Sequence, residues 1–196
     1  MLLNDKPTMS FSNMLITNGA FNVKVSKDGK SVSGGYYSIQ FKPLKNNDEE
    51  MDLFYEVSDK SNNPTWQINN DRNPQEKSGI YFGLDSTTLY PNKFGWINCD
   101  KFYDYTGPKT NITFKSHYPK VESIIIYILF PKLNSLLRVG GDKSPEVPVG
   151  EDVIIVACAM AKDKTYYSYF ENVKITQDLI VNIDLTESTP EDFVKK

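Results

Sequence analysis

Short segments of alternating apolar and polar residues recur along this chain, each stopped by glycine, proline or an Asn/Asp pair, and that repetition constrains the fold most. Phe21, Val23 and Val25 alternate with Asn22, Lys24 and Ser26; Tyr37, Ile39 and Phe41 alternate with Ser38, Gln40 and Lys42. Leu53, Tyr55 and Val57 make a third set, Ile112, Phe114, Ser116 and Tyr118 a fourth, and Leu179, Val181, Ile183 and Leu185 a fifth. A period of two places each set on one face of a strand. Between them, Asp28-Gly29 predicts a tight hairpin turn, because both positions tolerate positive φ. Asn18-Gly19 reads as a breaker, and residues 45–50, 59–63 and 69–78 read as polar loops. Residues 123–130 are apolar on both faces, which predicts a central strand covered on each side, and residues 153–160 read as a further apolar strand.

Strands spaced about 8–12 residues apart, with turn signals between them, predict an all-β antiparallel sandwich of immunoglobulin-like or prealbumin-like architecture. No long amphipathic helix interrupts them, which excludes α/β architectures. One helix start is legible: Thr189 as N-cap, Pro190 at the first helical position, then Glu191 and Asp192, predicting a short C-terminal helical turn. Ile124, Ile126, Ile128, Val153, Ile155 and Val181 are the predicted core.

The stretch Phe94-Gly95-Trp96-Ile97-Asn98-Cys99-Asp100-Lys101-Phe102 lies near the middle of the 196 residues. Segments before it are ragged and polar; segments after it are longer and more apolar. It therefore reads as a seam between two small packed β units, 1–93 and 94–196. Trp96, Cys99 and Phe102 are its structural residues. Trp96 is expected to be substantially buried and to touch both halves, with Ile97 and Cys99 turned inward and Asn98 and Asp100 turned away.

Composition narrows function by exclusion. The net charge is −3 with the signs interspersed, so the chain offers neither the basic face of a nucleic-acid protein nor a polybasic membrane anchor. No apolar run reaches the ~20 residues that span a bilayer. The first residues lack a signal-peptide layout, which fits either a cytosolic protein or a fragment whose export signal lies upstream. Cys99 and Cys158 could pair in an exported protein, yet a small buried thiol suits Cys158 equally well.

Catalytic readings find little to stand on. His117 is the single histidine, and with two cysteines it gives no zinc-ligand spacing. A Ser/His/Asp site would need His117 as base and shows no Gly-x-Ser-x-Gly elbow. A Cys99–His117 nucleophile pair would need the fold to join them, and a cysteine between apolar strand residues is ordinarily inert. Asp100 and Asp104 bracket Phe102, Tyr103 and Tyr105 beside Trp96, the residue types of a glycosidase site, where two carboxyls flank a sugar. The plainer reading of the same residues is a polar stretch with aromatic packing. Oxygen-rich loops at Asp59-x-Ser61-x-Asn63 and Asn69-Asn70-Asp71-x-Asn73 lack the glycine and terminal glutamate of a calcium loop. Gly34-Gly35 and Gly140-Gly141 lead into no helix, so they do not read as phosphate loops. Asn111-Ile112-Thr113 has the form of a glycosylation acceptor. No metal and no cofactor are expected. Trp96, Asp100, Tyr103 and Tyr105 remain as candidate ligand-binding residues, with Tyr36-Tyr37 and Tyr166-Tyr167-Tyr169 as further aromatic surface for a sugar or an extended peptide.

Several phrases carry a resemblance: Leu15-Ile16-Thr17-Asn18-Gly19-Ala20-Phe21-Asn22-Val23 followed by Asp28-Gly29-Lys30, then Leu53-Phe54-Tyr55, Trp66, and Gly95-Trp96-Ile97-Asn98-Cys99-Asp100-Lys101-Phe102. Together they resemble exported, multi-domain, β-rich envelope proteins of Bacteroidetes that carry a "GWINCDRF"-type motif. Lys101 stands where arginine is usual, and Asn18-Gly19-Ala20 replaces a double glycine. The second half, with Val147-Pro148-Val149-Gly150 turning into a strand, is similar to prealbumin-like (carboxypeptidase regulatory-like) sandwiches. The resemblance implies a cell-envelope or extracellular location. The Gly95–Phe102 motif, the strand spacing and the lack of a catalytic constellation, taken with it, lead to the expectation of a non-catalytic structural or partner-binding module, whose partner is another envelope protein or a glycan. The alternative from another class is a carbohydrate-binding module or carbohydrate-active enzyme using the aromatic residues and Asp100/Asp104.

Overall fold

The computed structural model describes residues 2–43, 50–69, 79–116, 118 and 121–195. His117, residues 45–49 of one expected loop, and residues 70–78 of another, with the oxygen-rich Asn70, Asp71 and Asn73, lie outside the described residues. Among the described residues the chain is all-β apart from a 3-10 turn at Leu2–Asn4 and one short α-helix, and it falls into two compact units, Met1–Tyr103 and Asp104–Lys196.

The first unit holds β1 (Met9–Ser10), β2 (Asn13–Val23), β3 (Ser26–Lys27), β4 (Lys30–Ser31), β5 (Ile39–Phe41), β6 (Asp52–Ser58), β7 (Pro64–Ile68), β8 (Ile80–Phe82), β9 (Thr87–Leu89) and β10 (Gly95–Phe102). Its main sheet runs β1-β2-β10-β6-β7. The sheet curls until its two edge strands meet. Thr65 Oγ1 donates to Met9 O (2.9 Å) and accepts from Phe11 N (2.7 Å), while Trp66 Nε1 donates to Pro7 O (2.6 Å). These bonds satisfy edge groups that would otherwise be a template for another strand. A smaller sheet, β5-β9-β8, supplies Ile39, Phe41, Ile80, Phe82 and Leu89 to a core with Leu53, Tyr55, Ile97 and Cys99. Inside the curl, Leu15, Phe54 and Trp66 form a second core, with Ile68 and Trp96 packed against it.

The expected seam is corrected by this pairing. β10 is the central strand of the first unit, bonded to β2 on one side and β6 on the other, so the division falls after Tyr103 and not at 93/94. Trp96 is half-buried, and its neighbours in the inner core all belong to the first unit. The expected facing of the stretch fails on the period of two. Trp96 shares its face with Asn98 and Asp100, while Ile97 and Cys99 take the other. Both faces are covered, so Asn98 and Asp100 are fully buried rather than turned to solvent.

Asn18-Gly19 is also not a break. β2 runs through it, and the register against β10 steps from Cys99↔Gly19 to Asp100↔Thr17, leaving Asn18 as the extra residue of a β-bulge. A side chain at Gly19 would meet the Phe21 ring at 3.2 Å. The Asp28-Gly29 turn is as expected, with φ of 51° and 73° joining β3 to β4.

The second unit holds β11 (Lys109–Thr110), β12 (Thr113–Ser116), β13 (Val121–Phe130), β14 (Ser135–Val139), β15 (Val147–Pro148), β16 (Asp152–Ala161), β17 (Tyr166–Lys174), β18 (Ile180–Ile183), β19 (Thr186–Ser188) and α1 (Pro190–Lys195). It is sandwich-like: an antiparallel sheet β14-β13-β16-β17-β19, with the pairs β11-β15 and β12-β18. The β12-β18 pair is parallel, an exception to the expected antiparallel order. Ile126, Ile128, Val153, Ile155 and Val181 are buried. Ile124 is only half-buried, because the register of β13 shifts between Val121 and Ile124.

Strands β13 and β16 are not covered evenly on both faces. Val153, Ile155, Ala157 and Ala159 line the buried side, while Ile154 and Cys158 are half-buried and Met160 is exposed. Cover on that second face comes partly from α1, whose Phe193 ring lies 5.1 Å from that of Phe170, the cross-strand partner of Val156. Thr189 caps this helix as expected, accepting from Asp192 N at 3.1 Å.

Candidate functional site

Two features of the first unit bear on function: a buried polar chain inside the curl, and an open groove at one end of β10.

The polar chain begins at the bulge. Gly19 N donates to Thr17 Oγ1 (3.2 Å), Thr17 Oγ1 donates to Asn98 Oδ1 (2.8 Å), and Asn98 Nδ2 donates to Asp100 Oδ2 (2.5 Å). Asp100 Oδ1 has no hydrogen-bond partner among the described residues. Burial pushes the Asp100 carboxyl well above the usual carboxylate range, and the Thr17 and Asn98 side chains pull it back only in part. A carboxyl in this setting favours its proton.

The consequence for stability has a definite sign. An unfolded aspartate titrates near ~3.9, and the folded group titrates higher. Folding therefore binds a proton between those two values, and stability falls as pH rises through that window. Asp100→Asn mimics the protonated form and keeps the acceptor for Asn98. Its advantage over the native chain is expected to grow from pH 4 toward neutrality, reaching about 1–3 kcal/mol. Urea unfolding at a series of pH values checks this. Asp52 stands opposite Asp100 in the β6–β10 ladder, so Asp52→Asn serves as the control. Parallel pH curves for native and Asp100→Asn chains would show that Asp100 carries no such burden.

The groove lies where the main sheet forks. Strands β6 and β10 pair from Asp100↔Asp52 to Ile97↔Tyr55, and the ladder stops there although both strands continue. Residues 56–58 of β6 keep β7 as partner on their far edge, and Gly95 and Trp96 keep β2 on theirs. The gap between them is a groove of about 540 Å³, within the ~300–1,000 Å³ of ligand pockets. Its walls are β6, the Gly95-Trp96 end of β10, the end of β2 and the β3–β4 hairpin side at Ser31, Val32 and Ser33. Trp96, Tyr55 and Phe94 give it aromatic surface, and Lys24, Lys93 and Glu56 give it charge. Glu56 is already compensated: Lys6 Nζ lies 2.5 Å from its Oε1 and 5.7 Å from the centre of the Trp96 ring. Lys93 Nζ lies 5.2 Å from the centre of the Tyr55 ring. Tyr55 Oη donates to Asn92 Oδ1 (2.9 Å) and accepts from Asn92 N (3.0 Å), fixing the chain just before β10.

The sequence-derived candidates do not gather at one place. Trp96 lines the groove. Asp100 is fully buried and out of reach of a ligand in solution. Tyr103 is half-buried with its amide donating to Met14 O (2.9 Å). Tyr105 and the exposed Asp104 belong to the second unit, where Tyr105 Oη reaches Val149 O at 3.5 Å. A glycosidase pair built on Asp100 and Asp104 lacks its first member at any open surface. Phe102 packs edge-on to Phe54 at 5.6 Å. Tyr36 is exposed, Tyr37 stacks on Phe94 at 5.0 Å, Tyr167 packs on Tyr118 at 4.8 Å, and Tyr169 Oη bonds the Glu171 carboxylate.

Among the other candidates, Asp59 spends its carboxylate on its own loop, accepting from Ser61 N (2.7 Å) and Asn63 N (2.9 Å). Such a bond pattern is a turn brace rather than a cation shell. Cys99 and Cys158 are both thiols, one in each unit. Among the described residues, no cluster of three or more His, Cys, Asp or Glu could hold a metal. No described helix is long and apolar enough to cross a membrane.

Lys24, Tyr55, Glu56, Lys93 and Phe94 were missed by sequence reasoning. Each sits on or beside a strand with ordinary alternation, and the groove exists only because two strands part in space. No protein-family model, curated protein or solved structure matches the chain.

Proposed function

We propose that this protein is a non-catalytic binding module of an exported cell-envelope protein and that the groove at the β6–β10 fork is its ligand face. The fork carries the reading: two strands stop pairing inside a well-packed unit and leave aromatic and charged side chains on open walls. Regular sheets have no structural need for such a gap, and a ligand groove does. The envelope location rests on the resemblance of the Gly95–Phe102 strand and its companion phrases to exported β-rich proteins.

Two measurements test this. Fractionation of cells that make the protein should find it in the envelope or outside the cell, and a purely cytosolic chain would overturn that placement. Amide spectra of the labelled protein, titrated with oligosaccharides and short peptides, should shift at Lys24, Lys93 and residues 56–58 without any product forming. Turnover of a glycan would transfer the reading to a carbohydrate-active enzyme. Silence of the groove toward all ligands would remove it as the binding face.

A further inference from the structure

We infer that the outer face of the small β5-β9-β8 sheet binds an uncharged, extended polysaccharide along a diagonal line of three tyrosines. This surface is separate from the groove and does not depend on the ligand-face reading above.

The two faces of the sheet follow from its register. Ile39, Leu89 and Ile80 form one row across the three strands and turn into the core. The period of two puts the next row, Gln40, Thr88 and Tyr81, on the opposite face. Tyr90 N donates to Gly79 O (2.7 Å), which carries the β8–β9 register one step further and sets Tyr90 on that outer face. Tyr37 N donates to Pro91 O (3.4 Å) and the Tyr37 ring stacks on Phe94, so the segment leading into β5 runs alongside the chain that leaves β9. Exposure alternates along it: Tyr36, Ser38 and Gln40 are exposed, while Tyr37 and Ile39 are half-buried. Tyr81, Tyr90 and Tyr36 therefore stand on three neighbouring lines of chain, each one row of the outer face beyond the last. Diagonal neighbours of this kind lie about 7–8 Å apart.

These rings do not pack into the unit. Tyr36 is 93% exposed, Tyr81 63% and Tyr90 55%. A single exposed aromatic is ordinary, but three in line on one sheet face form a patch, and patches mark interaction surfaces. Gly79 and Ser38 flank Tyr90 in the register and carry little bulk to cover its ring.

The groups between the rings indicate the ligand. Ser38, Gln40 and Thr88 place hydroxyl and amide groups among the tyrosines, and none of these rows holds a charged side chain. Lys42 and Asp85, of opposite sign, come only beyond Gln40 and in the β8–β9 turn. A face without charge gives no electrostatic advantage to an acidic or a basic partner. A protein partner would call for aliphatic surface, which these rows lack. A pyranose ring matches both features, with a face of C–H bonds for the electron-rich side of a tyrosine and a rim of hydroxyls for the polar neighbours. Rings set in a line select an extended chain, such as a cellulose or xylan backbone, over the coiled chain of amylose.

Native electrophoresis in gels holding hydroxyethylcellulose, xylan or glucomannan provides the test, with soluble starch and polygalacturonate as controls. At least one of the neutral extended chains should retard the protein. Tyr81→Ala and Tyr90→Ala should each weaken that retention roughly tenfold, whereas Tyr81→Phe should keep most of it, because stacking uses the ring. All of these positions are exposed, so far-ultraviolet dichroism and Tm should stay as in the native chain. Amide spectra titrated with cellohexaose or xylohexaose should shift at residues 36–40, Tyr81 and 88–90, and not at 56–58. Shifts at residues 56–58 alone would overturn this inference and place the sugar in the groove. Equal retention of the native chain and the two alanine variants would remove the tyrosine line as the site. Retardation by starch as strong as by the extended chains, or by polygalacturonate alone, would overturn the extended, uncharged ligand. No retardation in any gel would sink the inference and leave the groove reading untouched.

Discussion

Trp66→Ala is expected to cost about 3–5 kcal/mol, the largest effect of any single truncation in the first unit. Trp66 is 1% exposed and is among the largest fully buried side chains of the chain. Its ring fills the inside of the curl against Leu15 and Phe54, and its Nε1 holds Pro7 O. Truncation therefore opens a cavity and releases one of the bonds by which the edge strands are tied. The two effects separate with Trp66→Phe, which keeps most of the ring and loses the donor; about 1–2 kcal/mol is expected from the Pro7 carbonyl left without it. Urea unfolding followed through amide exchange on β1, β6 and β7 gives the comparison. If Trp66→Ala costs less than about 1 kcal/mol, the inside of the curl is not a packed core, and the closed form of the sheet fails with it.

Which parts of this architecture could be read from the residues follows from how local each cause is. The β3–β4 turn was legible because Asp28 and Gly29 carry their own reason to take positive φ. Thr189 was legible as a cap because the hydroxyl acts on an amide three residues away. Asn18-Gly19 offers the same turn chemistry and yet lies inside β2, because pairing with β10 absorbs the extra residue as a bulge. Local preference met a long ladder, and the ladder prevailed.

The stretch around Trp96 failed for a related reason. A strand covered on both faces has no solvent side, so the presence of Asn98 and Asp100 gave no true signal of which way it faced. Their burial depends on Thr17, which is 81 residues from Asn98 in sequence. The boundary of the first unit was misplaced because a change from ragged to regular strands marks a change in neighbours, and the neighbours of β10 are earlier in the chain. The parallel pair β12-β18 joins segments far apart in sequence, and period-two alternation is the same in parallel and antiparallel strands. The groove was hidden most completely, since it depends on where a ladder stops.

The second unit offers the other large effect. Ile128 and Ile155 are both fully buried and stand directly opposite each other in the β13–β16 ladder. Each truncation to alanine should cost about 2–5 kcal/mol, and the pair should not behave as two independent sites. Directly opposed residues share the space between them, so the cavity left by one lies against the other. Removing the second side chain then forfeits contacts already lost with the first and lets the two cavities merge. The double variant is expected to fall short of the sum of the single costs by about 0.5–3 kcal/mol. Val153 supplies the contrast. It is buried on the same face of β16, two residues from Ile155, but it does not pair with Ile128. A cycle between Ile128 and Val153 should therefore show a smaller coupling than the Ile128–Ile155 cycle. Denaturant unfolding of the four variants in each cycle measures both couplings under one set of conditions. Additivity within about 0.5 kcal/mol for the Ile128–Ile155 pair would mean that the two side chains do not share one packed layer. The register that sets them face to face would then have to be redrawn, together with the β13–β16 centre of the sheet.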